Sequence, residues 1–272
     1  MSRFLIYIIV IMTTTLVMSL GIRQIVYKAE YSSNTYELKT NPRILVGDSH
    51  AAQLDLNQTT ELSIQGSGLT LLNLVLDNTH IFLDSSKTLI ATIWHQNLVT
   101  QEAASFNQKT QFWSTLKSLP FNANISRIQM SNPSIWSLIG ALALKRSQLN
   151  NSGTCFEGTF EPTKAPGPEF KTTPNPYQHH LQINPKLLKC PANILFLVSP
   201  TNPNNYQNKK ALESVTNDFL KSIPTHDHIS ILDLRLSHFP DSCWRDWHHL
   251  NCKGSRIVSE AVEIRLSELN WN

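Results

Sequence analysis

The 272-residue sequence has no cluster of basic residues, although its formal net charge is +3 and its isoelectric point is about 8.6. Nucleic-acid-binding proteins carry their positive charge as a stripe or patch. Scattered lysines and arginines set that class aside, and no nucleic-acid partner is expected. Internal repeats and low-complexity tracts are also lacking, which removes solenoids and biased tails from consideration. Charged residues are sparse at 16%, against 41% hydrophobic. That balance is ordinary for a globular chain, and this length can bury a real core in one large domain or two small ones.

Charge is missing altogether from one stretch. FLIYIIVIMTTTLVMSLGI, residues 4–22, is 19 residues long, close to the ~20 that cross a bilayer core. It exceeds the roughly 7–15 residues of a signal-peptide core, and no A-x-A-like cleavage site follows it. The expectation is an uncleaved N-terminal transmembrane helix over 1–24 and a polar linker over 25–42. A cleaved signal peptide and a buried core helix are the competing readings, the second opposed by the absence of a polar face. Arg3 before the run and Arg23 and Lys28 after it nearly balance, so the positive-inside rule orients it weakly.

Cysteine is scarce: Cys155, Cys190, Cys243 and Cys252. An even count beyond an apolar anchor suggests an oxidising compartment and two disulfides. The main domain is therefore expected on the extracytoplasmic side of a membrane. Proximity in sequence favours Cys243 with Cys252 and Cys155 with Cys190. Two other connectivities, and four free thiols, are the alternatives.

Beyond residue 42, short apolar runs alternate with helical patterns. Residues 43–47, 61–66, 87–94, 193–200 and 228–235 read as strands. Residues 69–78, 208–223 and 254–269, a segment after Pro133 and a short stretch after Ser49 read as helices. This alternation predicts an α/β domain over 43–272 with a parallel sheet covered on both faces. A proline-rich segment at about 150–191 breaks the rhythm and reads as an insertion. It carries Cys155, Cys190, His179 and His180; the two histidines read as solvated, with substrate contact as the alternative.

In an open parallel sheet, ligands sit beyond the carboxyl ends of the strands. Gly47, Asp48, Ser49 and His50 follow the first strand. Gly66, Ser67 and Gly68 follow the second, and His95, Gln96 and Asn97 the third. DSCWRDWHHLNCKG, residues 241–254, follows the fifth. A serine, glycine-rich turns, an asparagine and an Asp–His pair thus converge on one edge. Acyl transfer needs that set: a nucleophile, a base with its orienting acid, and donors for an oxyanion.

GDSHA at the end of a first strand, with DWHHLN near the C-terminus, resembles the SGNH (GDSL-like) family of esterases and acyltransferases. GDSHA in particular looks like the SGNH domains of bacterial cell-surface polysaccharide O-acetyltransferases. The resemblance implies a three-layer sandwich around a central parallel sheet of about five strands. It makes Ser49 the nucleophile, His249 the base and Asp246 its acid. The oxyanion donors are the backbone of Ser49, Gly68 (or Gly66) and Asn97. The implied activity is O-acyl transfer or ester hydrolysis on an acylated cell-envelope glycan through an acyl-serine intermediate. No cofactor is implied, and an integral-membrane acyl-transfer partner is. One motif departs from the family: where G-x-N-D is expected, HQNL places His95 and Leu98, leaving Asn97 alone.

Blander readings stand beside these. Asp48 and Ser49 are both good helix N-caps. Gly66, Gly68 and Asn97 are common turn residues, and Asp246 and His249 could belong to a surface loop. His248 is a rival base, and His50 is assigned no catalytic step. Cys243, His248, His249 and Cys252 are all zinc-ligand types, which makes a metal site one alternative. A catalytically inactive SGNH fold that binds a glycan or a partner is another.

Overall fold

Four of the five apolar runs become strands at or within the expected bounds, and the fifth does so two residues early. The structure, a computed structural model, describes residues 2–63, 69–77, 83–98, 155, 185–202 and 209–271. The described strands are β1 (Arg43–Gly47), β2 (Thr59–Ser63), β3 (Thr88–Ile93), β4 (Asn193–Val198) and β5 (Ile229–Asp233). The described helices are α1 (Ser2–Thr40), α2 (Leu69–Asp77), α3 (Pro185–Lys189), α4 (Lys209–Ser222) and α5 (Cys252–Glu268). All strand pairs are parallel and the order is β2-β1-β3-β4-β5.

The sheet is buried on both sides, which is why its strands read as nearly unbroken apolar runs. Successive side chains point to opposite faces. Ile44, Val46, Leu89, Ala91, Ile194 and Phe196 face one cluster, with Leu72 and Val75 of α2 and Phe219 of α4. Leu45, Ile90, Leu195 and Leu197 face the other, with Val258, Val262 and Leu266 of α5. Helix, sheet and helix form three layers, as expected. Strand order reverses between β1 and β3, so the crevice beyond their carboxyl ends is the favoured place for a ligand.

Several expectations are corrected. Among the described residues no helix is long and apolar enough to cross a membrane, so the expected transmembrane helix is not found there. The apolar run instead opens α1, a 39-residue helix. Residues 25–40, expected as a polar linker, are helical and continue α1 to Thr40, just before Pro42. That proline stops the helix. Described side chains in the first half, among them Ile6, Val10, Ile11, Val17 and Ile22, are exposed, whereas Leu38 is buried in the core. Lys87, itself buried, donates its ammonium to the carbonyls of Leu38 (2.9 Å), Lys39 (3.1 Å) and Asn41 (2.7 Å). It closes the carbonyl end of α1, where a cation is favoured.

The short helix expected after Ser49 is absent. The chain turns instead, with the Ala51 and Ala52 N–H groups donating to the Asp48 carbonyl. The helix after Pro133 and most of the 150–191 insertion, with His179 and His180, lie outside the described residues.

Candidate active site

Gly47 ends β1 where the backbone comes against β3. A Cβ there would meet Thr92 Oγ1 at 1.8 Å and the Ala51 Cβ at 2.8 Å. Only glycine lets the strand leave the sheet this tightly, and the departure carries Ser49 to the switch point. The opposing loop, between β5 and α5, is folded on itself. Trp244 and Leu250 form an antiparallel bridge, and Arg245 N–H donates to the His249 carbonyl at 2.9 Å. Asn251, buried, ties the loop to α5. Its side-chain oxygen accepts from Lys253 and Gly254 N–H, and its Nδ2 donates to the Ser242 and Trp244 carbonyls. Gly254 allows that contact, since a Cβ there would lie 2.4 Å from the Cys243 carbonyl oxygen.

The two segments meet in a line of hydrogen bonds. Ser49 Oγ is 2.9 Å from His249 Nε2, and His249 Nδ1 is 2.8 Å from Asp246 Oδ2. A carboxylate only accepts, so Nδ1 carries the ring proton and Nε2 is left to accept from the serine hydroxyl. Asp246 Oδ1 also accepts from the His248 and His249 N–H groups, at 2.9 and 2.8 Å. Burial alone would raise this carboxyl. The bonds from the His249 side chain and from both backbone amides outweigh it and hold Asp246 well below the usual carboxylate range. Gln53, also buried, braces both halves: its Nε2 donates to the Ser49 carbonyl at 2.9 Å and its Oε1 accepts from Leu250 N–H at 3.0 Å.

Of the two adjacent histidines, His249 faces the serine. His248 packs beside it, ring centroids 4.0 Å apart, and against Trp94 at 5.2 Å. Burial, then the neighbouring charges of His249 and His50, push His248 down to about 4 against the opposing pull of Asp246 and Asp48. Trp94 is buried at the end of β3 and also stacks on His50 at 4.5 Å. Its role went unread in the sequence. The available signal was its place as the last residue of the third expected strand, at the edge where ligands sit.

The other predicted residues divide. Asn97 lies in a short 3-10 helix, His95–Leu98, at the switch point. Its backbone is placed there; its side chain, like Gly66 and Gly68, is outside the described residues. At the two positions that depart from the family pattern, Leu98 is fully buried, and burial pushes His95, beside the charges of His50, His248 and Arg235, down to about 3.

The expected disulfides are corrected. Cys155 bonds Cys252, and Cys190 and Cys243 are free and buried. The sheet explains why Cys155 does not reach Cys190: Cys190 packs in the cluster on one face, whereas Cys252, bonded to Cys155, begins α5, which covers the other. Cys243 is fully buried in the core next to Trp244. The loop that carries Asp246 and His249 is closed by Asn251 and backbone bonds instead of a Cys243–Cys252 bridge. The same bond removes Cys252 from the two-cysteine, two-histidine zinc set. Asp246, His248 and His249 do offer donor atoms within 4.8 Å of one another. A cation there would have to displace the Asp246–His249 bond or the Ser49–His249 bond.

A cavity of about 530 Å³ opens beside the disulfide, lined by Gln53, Asp55, Arg256 and Glu260 among others. None of Ser49, Asp246 and His249 lines it. No family model, no curated protein and no solved structure matches the chain.

Proposed function

We propose that the protein performs serine-dependent ester chemistry through an acyl-Ser49 intermediate, as an SGNH-type esterase or O-acyltransferase. One observation carries the reading: a serine, a histidine and a carboxylate from segments 200 residues apart stand in hydrogen-bond sequence at 2.9 and 2.8 Å. In the proposed cycle His249 Nε2 takes the Ser49 proton as Oγ attacks an ester carbonyl. Asp246 holds the tautomer and stabilises the imidazolium. The backbone N–H of Ser49 and of Gly68, with the Asn97 amide, receive the oxyanion; removing one such donor typically costs roughly 3–4 kcal/mol of barrier. His249 returns the proton to the leaving alkoxide. Water or a sugar hydroxyl, deprotonated by the same histidine, then resolves the acyl-serine.

The proposed substrate class rests on the resemblance and on the proposed location. GDSHA and DWHHLN are similar to the motifs of polysaccharide O-acetyltransferases, and the Cys155–Cys252 disulfide supports an oxidising compartment. An acylated cell-envelope glycan outside the cytoplasm fits both, with an integral-membrane protein as acyl donor partner. The fully buried Leu98 and the buried His95 at the degenerate third motif favour a second reading, an SGNH-fold protein that binds such a glycan without turnover.

The test is incubation with an activated acetyl ester, followed by mass spectrometry of the Ser49 peptide with and without sugar acceptors. An acetylated Ser49 peptide that is depleted when acceptor is added supports transfer. Depletion in water alone supports hydrolysis. Glycan binding with no acyl-serine would favour the binding reading.

A further inference from the structure

His50 follows the nucleophile and takes no step in the cycle above, yet both its ring nitrogens are committed. The side chain is buried, at 7% exposure, and so is Asp48, at 6%. Nδ1 lies 2.9 Å from Asp48 Oδ1, which also accepts from the His50 N–H. Nε2 lies 3.1 Å from the backbone carbonyl oxygen of His248, in the loop that carries the base. A carbonyl only accepts, so Nε2 bears a proton. An ionised carboxylate also only accepts, so a second proton lies between Nδ1 and Oδ1. Whichever atom owns it, the Asp48–His50 unit is neutral as a whole while both bonds hold. Without that proton, two acceptors would face each other at one end or the other, in a buried place where an unpaired charge is costly.

We propose that Asp48 and His50 form a second Asp–His pair whose task is to position the first: by holding the His248 carbonyl, they fix the base loop against the nucleophile turn. The proposal rests on Ser49 being the nucleophile. His50 is a positioning residue that acts through the loop and through stacking, its ring lying 5.3 Å from that of His249 at 26° and 4.5 Å from Trp94 at 28°. Among the described residues, the ionisable groups around it are few. Asp48 comes from its own turn, His248 and His249 from the base loop, and His95 from the end of β3, behind Trp94. His248 and His95 are both held far below neutrality, so neither adds a cation beside the Asp48–His50 pair at pH 7. The consequence is kinetic: misplacing a catalytic group by about 1 Å can cost roughly a hundredfold in rate.

Two measurements on the full chain test this. The first is nitrogen-15 NMR of the histidine rings in unmodified protein near pH 7.5. Two protonated ring nitrogens on His50, or one protonated Nε2 with Nδ1 sharing the Asp48 proton, are expected. An unprotonated Nε2, or an Nδ1 with no shared proton, would overturn the pair. The second compares Ser49 acylation by 4-nitrophenyl acetate in wild type, His50→Leu and His50→Gln. Glutamine keeps an N–H where Nε2 was. His50→Leu is expected to lower the rate about 10–100-fold with KM little changed, and His50→Gln to recover most of that loss. His50→Leu within twofold of wild type, or His50→Gln as poor as His50→Leu, would overturn the positioning role. Ser49→Ala run alongside separates the two ideas. If it is inactive while His50→Leu is unaffected, only the positioning role fails. If it keeps activity, the nucleophile reading fails and the positioning role with it.

Discussion

His249 and His248 are neighbours in sequence with opposite environments, and the difference is two hydrogen bonds. Only His249 faces Ser49, and only it has a ring nitrogen within hydrogen-bond distance of Asp246; His248 Nδ1 stands 3.7 Å from the carboxylate. His249→Ala is therefore expected to slow Ser49 acylation by roughly three orders of magnitude or more, and His248→Ala by far less. Steady-state rates with an activated ester check the ranking, and the reverse order would mean that the base has been misassigned. Gly47 acts at the same scale through space. A methyl group there would collide with Thr92 and Ala51, and forced overpacking typically costs about 1–3 kcal/mol. Gly47→Ala is expected to lower both the melting temperature and the acylation rate, because the displaced turn carries Ser49. An unchanged melting temperature would contradict the close packing described.

Elements explain why some of this was legible beforehand. The five strands and the helices 69–77, 209–222 and 252–268 could be read because their apolar periodicity is local. That Ser49, Asp246 and His249 would come together could be anticipated because each follows a strand and the motifs they resemble pair them. The disulfide could not: Cys190 is on the far face of the sheet from α5 and Cys243 is packed into the core beside Trp244, and nothing in the spacing of Cys155, Cys190, Cys243 and Cys252 encodes either. Asn251 and Gln53 were missed for the same reason, since both work by joining segments distant in sequence. Asn251 caps α5 and holds the base loop, so Asn251→Ala is expected to cost about 1–2 kcal/mol and to reduce activity beyond what the lost stability explains. Urea midpoints beside acylation rates decide this; a loss of stability with full activity at low urea would separate the cap from the site. Non-reducing peptide mapping should recover a Cys155–Cys252 peptide, with Cys190 and Cys243 alkylated only after denaturation. A Cys243–Cys252 peptide would contradict the fold of this loop. Cross-linking residues 97 apart contributes up to about 4–5 kcal/mol through the unfolded chain, so reduction should lower the melting temperature clearly.

The whole molecule should be sensitive to acid. His95 and His248 are held down to about 3 and about 4 from an ordinary 6.5, by burial first and by neighbouring cations second. Below pH 6.5 the unfolded chain therefore binds more protons than the folded one, and stability falls as pH drops toward those folded values. Asp246 adds to the loss at lower pH: its contribution is present above 3.8 and disappears as pH falls through its lower folded value. His95 alone accounts for about 3 kcal/mol between pH 6.5 and 4. Urea midpoints of wild type should fall across that window, and those of His95→Gln should fall less; parallel profiles would show that His95 is not held neutral.

The central claim is that Ser49, His249 and Asp246 work as one relay. It is tested most directly by the rate at which a fluorophosphonate labels Ser49, located by peptide mass spectrometry, in wild type, His249→Ala and Asp246→Asn. The account predicts labelling at Ser49 alone among the serines, fast in wild type, nearly abolished in His249→Ala and strongly slowed in Asp246→Asn. Labelling at another serine, or equal rates in all three proteins, would contradict it.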